Sequence, residues 1–260
     1  MKQMLSMALC LSFIFGLTVA ASGEIHTKTV SYTHGDTTLK GYLAYDTEQT
    51  GKRPGVLVVH EWWGLNDYAK SRARQLAELG YVAFAADMYG DGRTTNDPQQ
   101  AGKWSGEVKG GPFIRERSTL ALDQLRNHER VDTDRIAAIG YCFGGTTVLE
   151  LAYSGADIAG VVPFHGGLTL PKADDRIKTK LLVLHGAADF FIKPETIDEF
   201  QKTLHEREVD WQMVYYGGAV HAFTNPDADD AGIDGVAYDA AADRRSWAHM
   251  RLFFDEIFAP

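Results

Sequence analysis

The sequence predicts an α/β fold in which a mostly parallel central sheet is flanked by helices. Three observations carry that expectation. Short apolar runs such as Gly55-Val56-Leu57-Val58-Val59-His60 have the continuous, β-branched character of strands buried on both faces. Such runs alternate along the chain with segments whose apolar residues recur at helical spacing. No internal repeat and no linker breaks the alternation, so residues 23–260 read as a single domain built on one sheet.

Taken in order, residues 1–22 place Lys2 ahead of an apolar run that ends in small residues, Thr18-Val19-Ala20 or Ala20-Ala21-Ser22. This is the layout of a secretory signal peptide, cleaved after Ala20 or Ser22. An uncleaved membrane anchor is the competing reading, because the apolar stretch approaches the length that spans a bilayer. Leu9, directly before Cys10, is not small, which excludes a lipoprotein. Cleavage implies an exported protein, periplasmic or secreted, with no stable membrane insertion afterwards. It also removes one basic and no acidic residue from a chain whose formal charge is already −9, so nucleic acid and anionic membrane are not expected partners.

Residues 27–32 and 39–45 read as a hairpin around the turn signal Gly35-Asp36. Residues 55–60 form the first buried strand. Asn66 is an N-cap for a helix carrying Ala69, Ala73, Leu76 and Ala77, which Gly80 stops. Residues 81–86 are a second buried strand, and the Gly-, Asp- and Asn-rich segment 87–112 reads as a long loop, of a length that is usually functional. A helix with Ala121, Leu122 and Leu125 follows. Strands over 135–140, 160–164, 181–185 and 211–216 then alternate with helices from Phe143 and Pro194, and the last helix shows Trp247, Met250, Phe254 and Ile257 on one face.

Of the two cysteines, Cys10 leaves with the signal segment and Cys142 remains alone. Exported proteins normally pair their cysteines, so a solitary one is either inert and buried or kept free for chemistry. Cys142 sits in Gly140-Tyr141-Cys142-Phe143-Gly144-Gly145, where a buried strand passes straight into a helix. That is the nucleophile elbow G-x-S-x-G with cysteine in the serine position, and the helix N-terminus favours a thiolate. A nucleophilic thiol needs a base, and the base an orienting carboxylate. Asp189, in the loop after the 181–185 strand, and His221, just after the 211–216 strand, arrive in that order at the same sheet edge. Among the other histidines, His60 and His185 end buried strands, His165 follows one, and His249 belongs to the last helix; at such strand ends a histidine most often bonds backbone. No His, Cys or acidic spacing forms a metal site, and no cofactor is expected.

Cys142, Asp189 and His221, together with His60-Glu61-Trp62-Trp63-Gly64, give the sequence a resemblance to the dienelactone hydrolases, a cysteine branch of the α/β-hydrolase fold. The likeness runs from the first buried strand to the final helix. It implies that Glu61 positions the resting thiol, although a helix-dipole role is its plain alternative, and that the oxyanion rests on the backbone N–H groups of Trp62 and Phe143. The two arginines with which the family holds a substrate carboxylate are missing: Tyr89-Gly90-Asp91 stands where the first belongs, with Arg93 two residues on, and Ala222-Phe223-Thr224-Asn225 where the second does. Trp62, Trp63, Tyr89, Phe143 and Phe223 are candidate walls of the pocket, and Arg93 a candidate contact. The expected activity is hydrolysis of a small ester or lactone through a Cys-His-Asp triad and a thioester, on a substrate other than the family's best-known one. The alternative is a thiol protein that binds electrophiles, or senses oxidation, without turnover.

Overall fold

The computed structural model describes residues 23–259. The signal segment expected over residues 1–22, and Cys10 within it, lie outside the described residues. One sheet of eight strands runs in the order β1-β2-β4-β3-β5-β6-β7-β8. The hairpin β1 (Ile25–His34) and β2 (Thr37–Asp46) pairs antiparallel, and β2 joins the rest antiparallel to β4 (Val82–Ala86). All other neighbours are parallel: β3 (Arg53–Val59), β5 (Val131–Tyr141), β6 (Gly160–Phe164), β7 (Lys180–Gly186) and β8 (Trp211–Tyr216).

Alternation along the strands divides the core. Val56, Val58, Ala137 and Ile139 face α1 (Asp67–Glu78) and α6 (Ala240–Ile257), meeting Ala69, Ala73, Leu76, Met250 and Phe254. Leu57, Val59, Ile136 and Ala138 face the opposite layer, α3 (Phe113–Arg126), α4 (Phe143–Tyr153) and α5 (Pro194–Glu206), through Leu122, Leu125, Val148, Leu151 and Phe200. Each Val, Leu, Ile, Met or Phe side chain among these, taken fully from water, contributes about 1.5–3 kcal/mol before conformational entropy is subtracted. Asn66 caps α1 as expected, its side chain accepting the Ala69 N–H at 3.3 Å, and Gly80 follows the helix at φ +94°.

The segment 87–112 is not one long loop. Residues Pro98–Lys109 form the helix α2, capped by Asp97, which accepts the Gln99 N–H at 2.9 Å, with Pro98 in the first turn. Its buried stripe is only Ala101, Ser105 and Val108, and Gly102 and Gly106 interrupt it, so apolar periodicity is faint where the cap and proline are clear.

The parallel strands bring their carboxyl ends to one edge. Glu61 follows β3, Cys142 follows β5, Asp189 follows β7 and His221 follows β8, so residues far apart in sequence meet there.

Candidate active site

Cys142 stands between β5 and α4 with φ 53° and ψ −113°, a conformation costing a non-glycine residue about 1–3 kcal/mol. The glycines around it make the turn possible by letting backbone approach backbone. A Cβ on Gly144 would lie 2.2 Å from the Val59 carbonyl oxygen, and one on Gly140 would lie 2.0 Å from that of Gly144. The Cys142 N–H is held by the Phe164 carbonyl at 3.0 Å and by His165 Nδ1 at 3.1 Å. Nδ1 therefore accepts, and Nε2 carries the proton towards Thr224 Oγ1 at 2.7 Å. Burial pushes the pKa of His165 well down, which suits this neutral role behind the elbow.

His221 faces Cys142 from the end of the loop after β8. Its Nδ1–H donates to Asp189 Oδ2 at 2.8 Å, and the Asp189 side chain is wholly buried, its other oxygen accepting the Phe191 N–H at 3.0 Å. Burial alone would lower the pKa of the imidazole. Its interaction with the Cys142 charge, together with the Asp189 hydrogen bond, more than offsets this and pushes it up to about 10. The backbone is fastened as well: the His221 N–H donates to the Gly235 carbonyl at 3.1 Å, and the Ala237 N–H donates to the His221 carbonyl at 3.2 Å. The loop clamping the histidine thus also carries Ile233 and Val236, which line the cavity.

Glu61 is 2% exposed, and Asn225 Nδ2 donates to its Oε2 at 2.6 Å. Burial raises its pKa to about 7, against the lowering effects of the Asn225 hydrogen bond and of the nearby His221 and Arg72 charges. Among the described residues the carboxylate is bonded to Asn225, while Cys142 is set against His221. Asn225 thus holds Glu61 without supplying a charge.

Glu61, Cys142 and His221 floor a cavity of about 270 Å³ whose walls include Trp62, Trp63, Phe143, Phe191, Ile192 and Val236. Lys109, at the end of α2, reaches its edge with Nζ 5.6 Å from the centre of the Phe143 ring. Trp62, Trp63 and Phe143 are thus where the sequence suggested. Tyr89, Arg93 and Phe223 are not. Tyr89 is 1% exposed and donates its hydroxyl to the Trp62 carbonyl at 2.9 Å. Arg93 stacks on Trp104 at 5.1 Å and donates to the Gly90 carbonyl, which turns it away from the cavity. Phe223 is fully buried against His165 and Tyr216. Sequence reasoning missed Asn225, Phe191, Ile192, Ile233 and Val236, which come from irregular segments where no periodicity marks the inward face.

An elbow bearing a cysteine after a central parallel strand, with an aspartate and a histidine on loops after later strands, is the arrangement of an α/β-hydrolase. The chain belongs to the dienelactone hydrolase family, whose model matches residues 39–258, and it is an ester- or lactone-hydrolysing enzyme. Among solved structures, a dienelactone hydrolase-like promiscuous phosphotriesterase from metagenomic libraries is 44% identical, with a TM-score of 0.88 over 91% of this chain and 100% of that one. Protein usf of Aquifex pyrophilus is 28% identical over 225 residues, 84% of this chain and 93% of its own. Thermogutta terrifontis esterase 2, at 19% identity and TM-score 0.63 over 90% of this chain and 96% of that one, shares the fold.

Proposed function

We propose that the enzyme hydrolyses small, uncharged esters or lactones through a thioester on Cys142. The observation that carries this reading is the position of His221, set between the Cys142 thiol and the Asp189 carboxylate and raised by both. That arrangement favours a thiolate beside an imidazolium. The thiolate adds to the carbonyl carbon, and the oxygen takes up the negative charge facing the N–H groups of Trp62 and Phe143. Collapse of the adduct breaks the bond to the leaving oxygen, which takes the proton from His221 and departs as an alcohol, leaving the thioester. The neutral imidazole then removes a proton from water, hydroxide adds to the thioester, and Cys142 leaves as thiolate while the acid is released.

Two features support the N–H assignment. Phe143 is the first residue of α4, whose leading N–H groups have no partner within the helix. The Trp62 N–H has no acceptor among the described residues. Two such donors aimed at a developing oxyanion lower the barrier by a few kcal/mol.

The aromatic and aliphatic walls, with Arg93 turned away and Asn225 neutral, favour a substrate without a carboxylate. A nitrophenyl ester tests the mechanism. Wild-type protein should give a burst of one equivalent followed by steady turnover, and Cys142→Ala should give neither. A burst without a steady phase would instead indicate a thiol that captures electrophiles. Phosphotriester hydrolysis is a second reading, favoured by the 44% identical phosphotriesterase, because a neutral triester suits the same apolar cavity. Turnover of a diethyl aryl phosphate that vanishes in Cys142→Ala would establish it.

A further inference from the structure

We infer that His60 is a positioning residue for the oxyanion hole, aiming the Trp62 N–H from behind. The inference rests on the proposed role of that N–H. His60 is fully buried at the end of β3, and neither the triad nor the cavity uses it. Its two ring nitrogens are both committed to backbone. Nε2 accepts the Met88 N–H at 3.2 Å, so Nδ1 carries the hydrogen, and that hydrogen is donated to the Glu61 carbonyl. Burial pushes the pKa of His60 down, which keeps this neutral tautomer.

The Glu61 carbonyl and the Trp62 N–H belong to one planar trans peptide and point in opposite directions. Pinning the carbonyl to His60 on the protein side therefore fixes the N–H on the other. The Gly64 N–H bonds the same carbonyl at 3.3 Å, and the Tyr89 hydroxyl holds the next one, that of Trp62, at 2.9 Å. The imidazole also touches the second half of the hole: it stacks on the Phe143 ring at 5.7 Å with an interplanar angle of 22°, and it meets Tyr89 edge-on at 4.9 Å. One buried ring thus braces the two segments that supply both donors.

The test compares His60→Leu, which cannot donate, with His60→Asn, whose amide can take the place of Nδ1–H. Tyr89→Phe, which deletes only the hydroxyl, is a milder variant should His60→Leu fold poorly. For a nitrophenyl ester, His60→Leu should lose roughly 10- to 100-fold in kcat with KM within about twofold, a fraction of what losing a whole donor costs. Tyr89→Phe should move the same way by a smaller factor, and His60→Asn should recover most of the loss. A trifluoromethyl ketone, which forms a tetrahedral oxyanion on the thiol, should weaken in proportion to kcat/KM. Alkylation of Cys142 by iodoacetamide, which develops no oxyanion, should keep its wild-type rate.

Equal losses in alkylation and turnover, or unchanged ketone affinity in both His60→Leu and Tyr89→Phe, would overturn the inference while leaving the thioester mechanism standing. Full esterase activity in Cys142→Ala would overturn the mechanism itself.

Discussion

Replacing Cys142 with alanine should make His221 a much weaker base, and the size of the change can be worked from the site. The imidazole is pushed up to about 10 from an ordinary 6.5, a preference for the charged ring on the order of 5 kcal/mol. Burial acts in the opposite direction, so the attractions to Cys142 and Asp189 together exceed that figure. The Cys142 charge leads among the raising effects; without it the hydrogen bond and charge of Asp189 are left to offset burial. We expect proton affinity to fall at least about 100-fold, well clear of the wild-type value of about 10. Cys142→Ser, which keeps the shape but replaces the thiol with a hydroxyl, should move it the same way. The assay is NMR titration of the histidine ring protons, with His221→Gln used to assign the signal among nine histidines. A His221 still titrating near 10 in both variants would refute the thiolate–imidazolium pairing.

Asn225→Leu strips the buried Glu61 carboxylate of its donor. With its folded pKa raised to about 7, Glu61 stabilises the fold most below its unfolded value near 4.5, and that contribution is lost as pH rises through about 7. The variant should therefore cost about 1.5–3 kcal/mol at about pH 8 and much less at about pH 5, read by urea unfolding at both; equal costs would contradict this. Gly144→Ala drives a methyl group into the Val59 carbonyl and should lower Tm by roughly 3–10 °C, measured by calorimetry. Phe191→Ala opens the cavity wall and should raise KM for an aryl ester by about fivefold or more, with a smaller effect on kcat in steady-state assays. Expression of the full chain in a Gram-negative host should yield exported protein whose first residue, by N-terminal sequencing, is Ala21 or Gly23; retention of Met1 would refute cleavage.

What the sequence made legible follows from which physical signals are local. Strand β6, helix α4 and strand β8 fall where they were expected: β6 is a run buried on both faces, α4 starts at the elbow, and Gly217 follows the end of β8. Cys142, Asp189 and His221 were placed by chain order and strand ends, and the parallel sheet brings those ends together. Helix α2 was hidden because three buried residues make too narrow a stripe, although Asp97-Pro98 announced its start. Tyr89, Arg93 and Phe223 were assigned to the pocket because aromatic and basic residues near a catalytic edge suggest contact with substrate. Only their partners, the Trp62 carbonyl, Trp104 and His165, show that they support it instead. Asn225 stood in the segment where the arginine was missing, but its bond to Glu61 required the fold.

The strap over residues 235–237 that grips His221 on both sides also brings Val236 to the cavity, and Gly235 packs so closely on Phe190 that a Cβ there would lie 2.4 Å from its ring. The cavity wall and His221 are therefore mechanically geared to one another. Randomising the wall at Ile233 or Val236 to admit a new acyl group would also disturb the bearing on which His221, the proposed base, sits. Libraries that change Trp63 or Ile192, which line the cavity without bonding the His221 backbone, should retune selectivity at a smaller cost in turnover.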